Sequence, residues 1–298
     1  MSVSFNGLGR EGRLGNQMFQ YAFIRGLAAN RGFNWTIPGS DVIRPDNYGL
    51  FDAFELSNCD HSKNIGEPPY RTVEYRDMHF NEDIFDRCDD NTNFSGNYQT
   101  ERYFENIADS IREDFTFTND YLDPCKEFIE SLGGGDKCIF LHVRRGNPNL
   151  TGRRGEKWSY QMVQEYHPLC KEEYYKNALK EFPEDVNVIV VSDLIDWCKR
   201  QTWLQGDRFH FSDSSYEVFG DGASVPYVDL CLMSLCSGAI IANSSLSWWG
   251  AWLQNDRGKV VVPDPWFGPA YAHYNMKDMI PERWVKLFND PSPVTPEV

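Results

Sequence analysis

An arginine pair stands where an apolar run stops: Cys138 to Leu141 leads into His142, Val143, Arg144 and Arg145. The planar guanidinium fork can hold two phosphate oxygens at once, and it stays charged while a phosphate leaving group gains charge. Two other apolar runs stop in the same manner. Asn187 to Val191 gives way to Ser192 and Asp193, and Gly238 to Ala242 gives way to Asn243, Ser244, Ser245 and Ser247 ahead of Trp248, Trp249 and Trp252. A strand-to-helix junction of this last kind points free backbone N–H groups and short hydroxyls at one spot, where a phosphate binds well. If the three runs are neighbouring strands of one parallel sheet, their ends converge on a single crevice suited to a nucleotide.

Each of these residues also has a structural reading. Arg145 alternates to the other side of its strand and equally serves as an ion-pair partner. Asp193 equally caps a helix starting near Leu194, the serines equally cap the one that follows them, and His142 equally belongs to the core. The tryptophans lie at helical spacing and read chiefly as core. A further motif, Gly7, Gly9 and Gly12, follows a strand and precedes a helix, which is the dinucleotide fingerprint and the basis of a rival reading as an NAD(P)-dependent oxidoreductase. The acidic residue expected about twenty positions further on is poorly met, since Pro38, Gly39 and Ser40 intervene before Asp41. The chain has no Asp-x-Asp triplet and no Walker loop, so neither a metal-held diphosphate nor an ATPase is expected.

The elements that must position these groups follow from hydrophobic periodicity. Val3 and Phe5 open a strand, a helix spans about 16–30, and a second strand spans 33–37, which together make a βαβ unit. From 38 to about 97 the pattern is irregular and reads as loops and short helices. Residues 98–114 are more helical, and a helix over 122–132 ends at Gly133, Gly134 and Gly135. Beyond that triplet the rhythm becomes regular: strands at 137–143, 186–192, 238–242 and 259–262, with helices at 170–181, 194–203, 227–236 and 246–254. Continuous apolar strands of this kind fit a parallel sheet covered on both faces. The expected division is therefore an amino-terminal α/β domain over 1–133 and a carboxyl-terminal domain over 134–298.

The chain has 298 residues, with 29 basic and 44 acidic side chains and a formal charge of −15, which argues against nucleic acid or an anionic membrane as a partner. A diphosphate then needs a local basic island, such as Arg144 and Arg145, with Arg10, Arg13, Arg153 and Arg154 as others. Aromatic residues make up 15% of the chain, which suits stacking on sugar rings and equally suits a large aromatic core. Eight scattered cysteines show no CxxC pair and no zinc spacing, so they read as reduced cytosolic thiols. No charged-then-apolar leader opens the chain, and no run of eighteen apolar residues occurs in it.

Three of these segments resemble one family. Leu14 to Phe23 (LGNQMFQYAF), Phe140 to Asn147 (FLHVRRGN) and Ile241 to Leu253 (IANSSLSWWGAWL) are similar to motifs of the α-1,2-fucosyltransferases, glycosyltransferase family 11. Shorter echoes at Gly96 to Phe104, Val191 to Lys199 and Asp229 to Cys236 keep the family's order. The resemblance implies a GT-B fold of two Rossmann-like domains facing a cleft, with GDP-fucose held by the carboxyl-terminal one. It implies inverting transfer of L-fucose from GDP-β-L-fucose to the 2-hydroxyl of a terminal galactoside, without metal or other cofactor. It also implies a cytoplasmic chain without the membrane anchor of animal members. Arg144 is then expected to grip the β-phosphate. Asp193, assisted by His142, can accept the paired N–H bonds of guanine. Ser192, Asn243, Ser244, Ser245 and Ser247 complete the donor site with Arg145, while Gly15, Asn16 and Gln17 face the donor from the amino-terminal loop, unless Asn16 merely caps its helix. Glu101 is a candidate base, alongside Glu11 and Asp41. Three departures stand out: Asn147 replaces the family's aspartate, Leu194 follows Ser192 and Asp193 where a second aspartate is usual, and Arg13 replaces a glycine. The first leaves open a lapsed transferase that only binds glycans.

Overall fold

A computed structural model describes residues 1–10, 12–39, 49–56, 71–146, 163–212 and 226–295. The chain forms two compact units, residues 1–118 with 274–282, and residues 119–273 with 283–298.

In the first unit β1 (Ser2–Ser4), α1 (Leu14–Arg31) and β2 (Asn34–Thr36) make the expected βαβ opening. After the short α2 (Leu50–Ala53) come β3 (Arg71–Tyr75), α3 (Glu82–Arg87), β4 (Thr92–Gly96) and α4 (Ala108–Asp114). The four strands form a parallel sheet in the order β2-β1-β4-β3. Strands β3 and β4 fall in the stretch expected to be loops. Their sequences, RTVEY and TNFSG, lack an apolar run, and β4 is fixed by side-chain bonds instead: Asn93 Oδ1 accepts from Ser4 Oγ at 3.3 Å and from the Asn6 N–H at 2.9 Å.

The second unit runs α5 (Asn119–Ser131), β5 (Cys138–Val143), α6 (Glu172–Leu179), β6 (Asn187–Ser192), α7 (Ile195–Lys199), β7 (Phe209–Phe211), α8 (Pro226–Leu235), β8 (Ala239–Ile240), α9 (Ser245–Trp252), β9 (Val260–Asp264) and β10 (Val285–Phe288). Its six strands are all parallel, in the order β10-β9-β8-β5-β6-β7. The wholly buried β5 and the nearly wholly buried β6 are the apolar runs a sheet covered on both faces requires. Edge strands β7 and β10 escape sequence reading because FHF and VKLF are short and half exposed.

The boundary lies ahead of α5, not at the glycine triplet, because α5 packs on α8 inside the second unit. The rings of Tyr121 and Tyr227 meet at 5.4 Å, Cys125 Sγ donates to the Val228 carbonyl, and Cys231 Sγ donates to the Tyr121 carbonyl, both at 3.8 Å. Residues 274–282 return to the first unit, where the Asn275 N–H donates to Asp77 at 2.7 Å and the Phe80 N–H donates to Asp278 at 3.1 Å.

Candidate functional site

The three strands expected to be neighbours are neighbours: β8 and β6 flank β5. Register then sets the site. His142 is paired with Val191 and Val143 with Ser192, so one further step brings Arg144 level with Asp193. An Arg144 guanidinium nitrogen lies 2.6 Å from Asp193 Oδ2, and both side chains are largely buried. The backbone N–H of Gly146 also donates to Oδ2 at 2.8 Å, and that of Arg145 donates to Oδ1 at 3.0 Å. Asp193 therefore clasps the loop after β5 and orients Arg144. It does not cap α7: the cap residue there is Leu194, and the Leu194 N–H is taken by Ser192 Oγ at 2.9 Å.

Strand alternation separates the two arginines. Arg145 shares the parity of Ile139, Leu141 and Val143, which pack in the core cluster beneath α6 and α7. Its guanidinium lies 3.9 Å from the Trp197 ring centroid on α7, the geometry of a structural residue. His142 has the parity of Arg144. It is buried, and that burial, followed by the neighbouring Arg144 charge, pushes its pKa down to about 3, so it is neutral at physiological pH. Among the described residues its Nδ1 has no hydrogen-bond partner, and its backbone carbonyl accepts the Tyr175 hydroxyl at 3.1 Å.

The junction after β8 is more internal than its sequence suggests. Asn243 Nδ2 donates to the carbonyls of Pro168 at 2.8 Å and Trp266 at 3.1 Å, so both of its amide protons bind the protein. Ser247 is wholly buried, and its hydroxyl donates to the Ala242 and Ser244 carbonyls. These two residues build the turn and do not line an opening, which corrects their expected place in the donor site. Ser244 is the N-cap position of α9, with Ser245 opening the helix, and together they keep the backbone N–H end of that helix at the sheet's carboxyl edge. Trp248, Trp249 and Trp252 are buried as expected, and neighbouring rings lie 5.2 to 5.3 Å apart.

Two further groups lie at this end, one without a sequence signal and one at the head of the Asp229 to Cys236 echo. His167 stands alone in a stretch without a motif, and burial together with the nearby Arg144 charge lowers its pKa to about 4. Asp229, inside an apolar helix, is a buried carboxylate, and it accepts the Ser212 hydroxyl at 2.7 Å just beyond β7.

In the first unit α1 begins at Leu14 with Arg13 as N-cap, so Asn16 sits within the first turn and is not its cap. Asn16 Oδ1 accepts from Gln99 Nε2 at 3.0 Å, which ties the first turn of α1 to the loop after β4. Gly12 has φ +73°, and a side chain there would strike Asn16. Gly15 and Gln17 are buried, contrary to a place facing the donor. Gly7, Gly9 and Gly12 all precede α1, so the third glycine cannot serve the close helix–strand packing that the dinucleotide fingerprint requires of it. Glu101 is half-buried in the 3-10 turn Glu101–Tyr103. Glu11, Asp41, Cys59, Asn147, Arg153, Arg154 and Lys157 lie outside the described residues. Among the described residues no cluster of three metal-ligating side chains occurs, and no helix is long and apolar enough to cross a membrane.

Comparison with known proteins agrees with this architecture. The family model described as glycosyl transferase family 11 matches residues 4–287. An alpha-1,2-colitosyltransferase of Escherichia coli is 31% identical over 302 residues, covering 93% of this chain and 96% of its own length. Human galactoside alpha-(1,2)-fucosyltransferase 1 is 23% identical over 254 residues, covering 81% of this chain and 63% of the human protein. The alpha-1,6-fucosyltransferase NodZ of Bradyrhizobium, crystallized with GDP, superposes with a TM-score of 0.51 at 13% identity, over 84% of this chain and 91% of its own, and so shares the GT-B fold.

Proposed function

Since this chain belongs to glycosyltransferase family 11, we propose that it moves L-fucose from GDP-β-L-fucose to the 2-hydroxyl of a terminal galactoside, with inversion at the anomeric carbon. The observation that carries the donor half of this reading is the Arg144–Asp193 pair at the end of β5, between the ends of β6 and β8. An arginine held from behind by a carboxylate and ringed by buried groups is preorganised for the diphosphate, whose negative charge grows as the glycosidic bond breaks. Asp193 acts through Arg144 as a positioning residue. The α9 N-terminus adds backbone donors, and His142 and His167, both neutral, add no charge that competes with Arg144. The acceptor hydroxyl must lose its proton to a base as the new bond forms, and Glu101, Glu11 and Asp41 are the candidates the sequence offers. No step in this account needs a metal, because cationic and dipolar groups of the chain itself face the diphosphate.

The acceptor and the 1→2 linkage are taken from the relatives, whose names specify that linkage. A second reading, with a colitosyl donor, has the E. coli relative in its favour. The seven described cysteines are all free thiols, which supports a reducing, cytoplasmic setting. Incubation with GDP-fucose and lactose, with and without a chelator, tests the proposal: free GDP and a fucosylated product are expected in both arms. GDP binding without product would favour a lapsed transferase that only binds glycans.

A further inference from the structure

Beside Arg144, on the side away from β6, stands a wall of aromatic rings that the reaction as described does not use. It is built from two loops, one before α6 and one after β9. The loops are zipped by the Gly268 N–H donating to the Tyr166 carbonyl and the Ala270 N–H donating to the Glu165 carbonyl, each at 3.0 Å. They approach so closely that a side chain at Gly268 would strike the Glu165 carbonyl. Asn243, at the carboxyl end of β8, holds one loop through Pro168 and the other through Trp266. Edge-to-face contacts link the rings: Tyr166 to Tyr271 at 5.0 Å, Phe267 to Tyr271 at 5.3 Å, His167 to Phe267 at 5.5 Å and His167 to Tyr271 at 5.6 Å. Phe267 is buried as the backing, Tyr271 is half-buried, and Tyr166 is 42% exposed. The lowered pKa of His167, to which the Arg144 charge contributes, places the wall within electrostatic reach of the phosphate grip.

A nucleotide sugar seated with its diphosphate on Arg144 has its base to one side and its sugar to the other. Asp229, a buried carboxylate beside Ser212 after β7, lies on the β6–β7 side of this sheet end, and a guanine edge needs a carboxylate to accept its N–H groups. The sugar then falls toward β8 and β9, where the rings are. We propose that Tyr166 and Tyr271 form an apolar wall for the sugar of the donor and select a 6-deoxyhexose, whose C6 methyl group packs on aromatic carbon where a 6-hydroxyl would be buried without a partner. This rests on the GDP-fucose reading above and deepens it.

Calorimetric affinities for GDP, GDP-fucose and GDP-L-galactose, which differs from GDP-fucose only by its 6-hydroxyl, measured on the wild type, Tyr166→Ala and Tyr271→Ala, test the wall. The wild type should prefer GDP-fucose to GDP-L-galactose about tenfold, and each variant should lose most of that preference while still binding GDP, which also reports that the site remains folded. A wild type that binds all three alike overturns both the donor reading and the wall. A wild type that prefers GDP-fucose, with both variants keeping that preference, overturns the wall alone.

Discussion

Replacing Asp193 by asparagine separates the carboxylate's charge from its shape. Oδ2 accepts from Arg144 and from the Gly146 N–H, and Oδ1 accepts from the Arg145 N–H. An asparagine keeps one acceptor oxygen, so in either orientation its NH2 group faces at least one of these donors. Breaking a fully buried ion pair costs about 3–5 kcal/mol. Here the Arg144 and Asp193 side chains retain 15% and 12% exposure, so solvent softens the loss to about 2–3 kcal/mol. A melting temperature lower by roughly 5–10 °C is therefore expected. The loss should also weaken GDP and UDP binding together, about tenfold each, because what loosens is the phosphate grip and not the base contact. Thermal melts and calorimetry on Asp193→Asn check both arms. An unchanged melting temperature with a selective loss of GDP over UDP would refute the positioning role and return Asp193 to reading guanine.

The two arginines should separate in kinetics. Arg144→Lys keeps the charge but loses the fork, and kcat/KM should fall by about 2–3 kcal/mol of transition-state stabilisation. Arg145→Lys should chiefly lower stability by about 1–2 kcal/mol through its lost stacking on Trp197, with turnover largely kept; steady-state rates and melts on both variants decide. Acidification should destabilise the fold. The unfolded chain binds a proton at His142 near pH 6.5 while the folded chain resists it to about 3, so stability is full above about pH 6.5 and falls as pH drops toward 3. Melting temperature against pH should be flatter in His142→Asn, and an identical slope would contradict this. Asn243→Ala should cost about 2–4 kcal/mol, since it strands the carbonyls of Pro168 and Trp266, and a denaturant titration measures it.

What could be read from the sequence was what physical periodicity encodes. The apolar runs of β5, β6 and β8 announce a buried parallel sheet, and their abrupt polar ends mark where a ligand belongs. Arg144 stands out because charge at the end of a buried run must have a reason. The roles of Asp193, Asn243 and Ser247 were less legible, because a short polar side chain at a strand end looks alike whether it faces a ligand or a backbone carbonyl. Only the register of β5 against β6 puts Asp193 beside Arg144. Strands β3 and β4 were hidden because their pairing rests on neighbours distant in sequence, Asn93 with Ser4 above all, and not on a pattern of their own. The aromatic wall was illegible for the same reason, since its rings come from residues about a hundred positions apart.

The most direct test of the central claim is the structure of the product formed from GDP-fucose and lactose, read by NMR as the anomeric configuration and linkage of the transferred sugar. An α-linked fucose on the galactose 2-hydroxyl, released together with GDP, is the expected result. A product with the β configuration, a linkage to another hydroxyl, or GDP release without any disaccharide-linked fucose would contradict it.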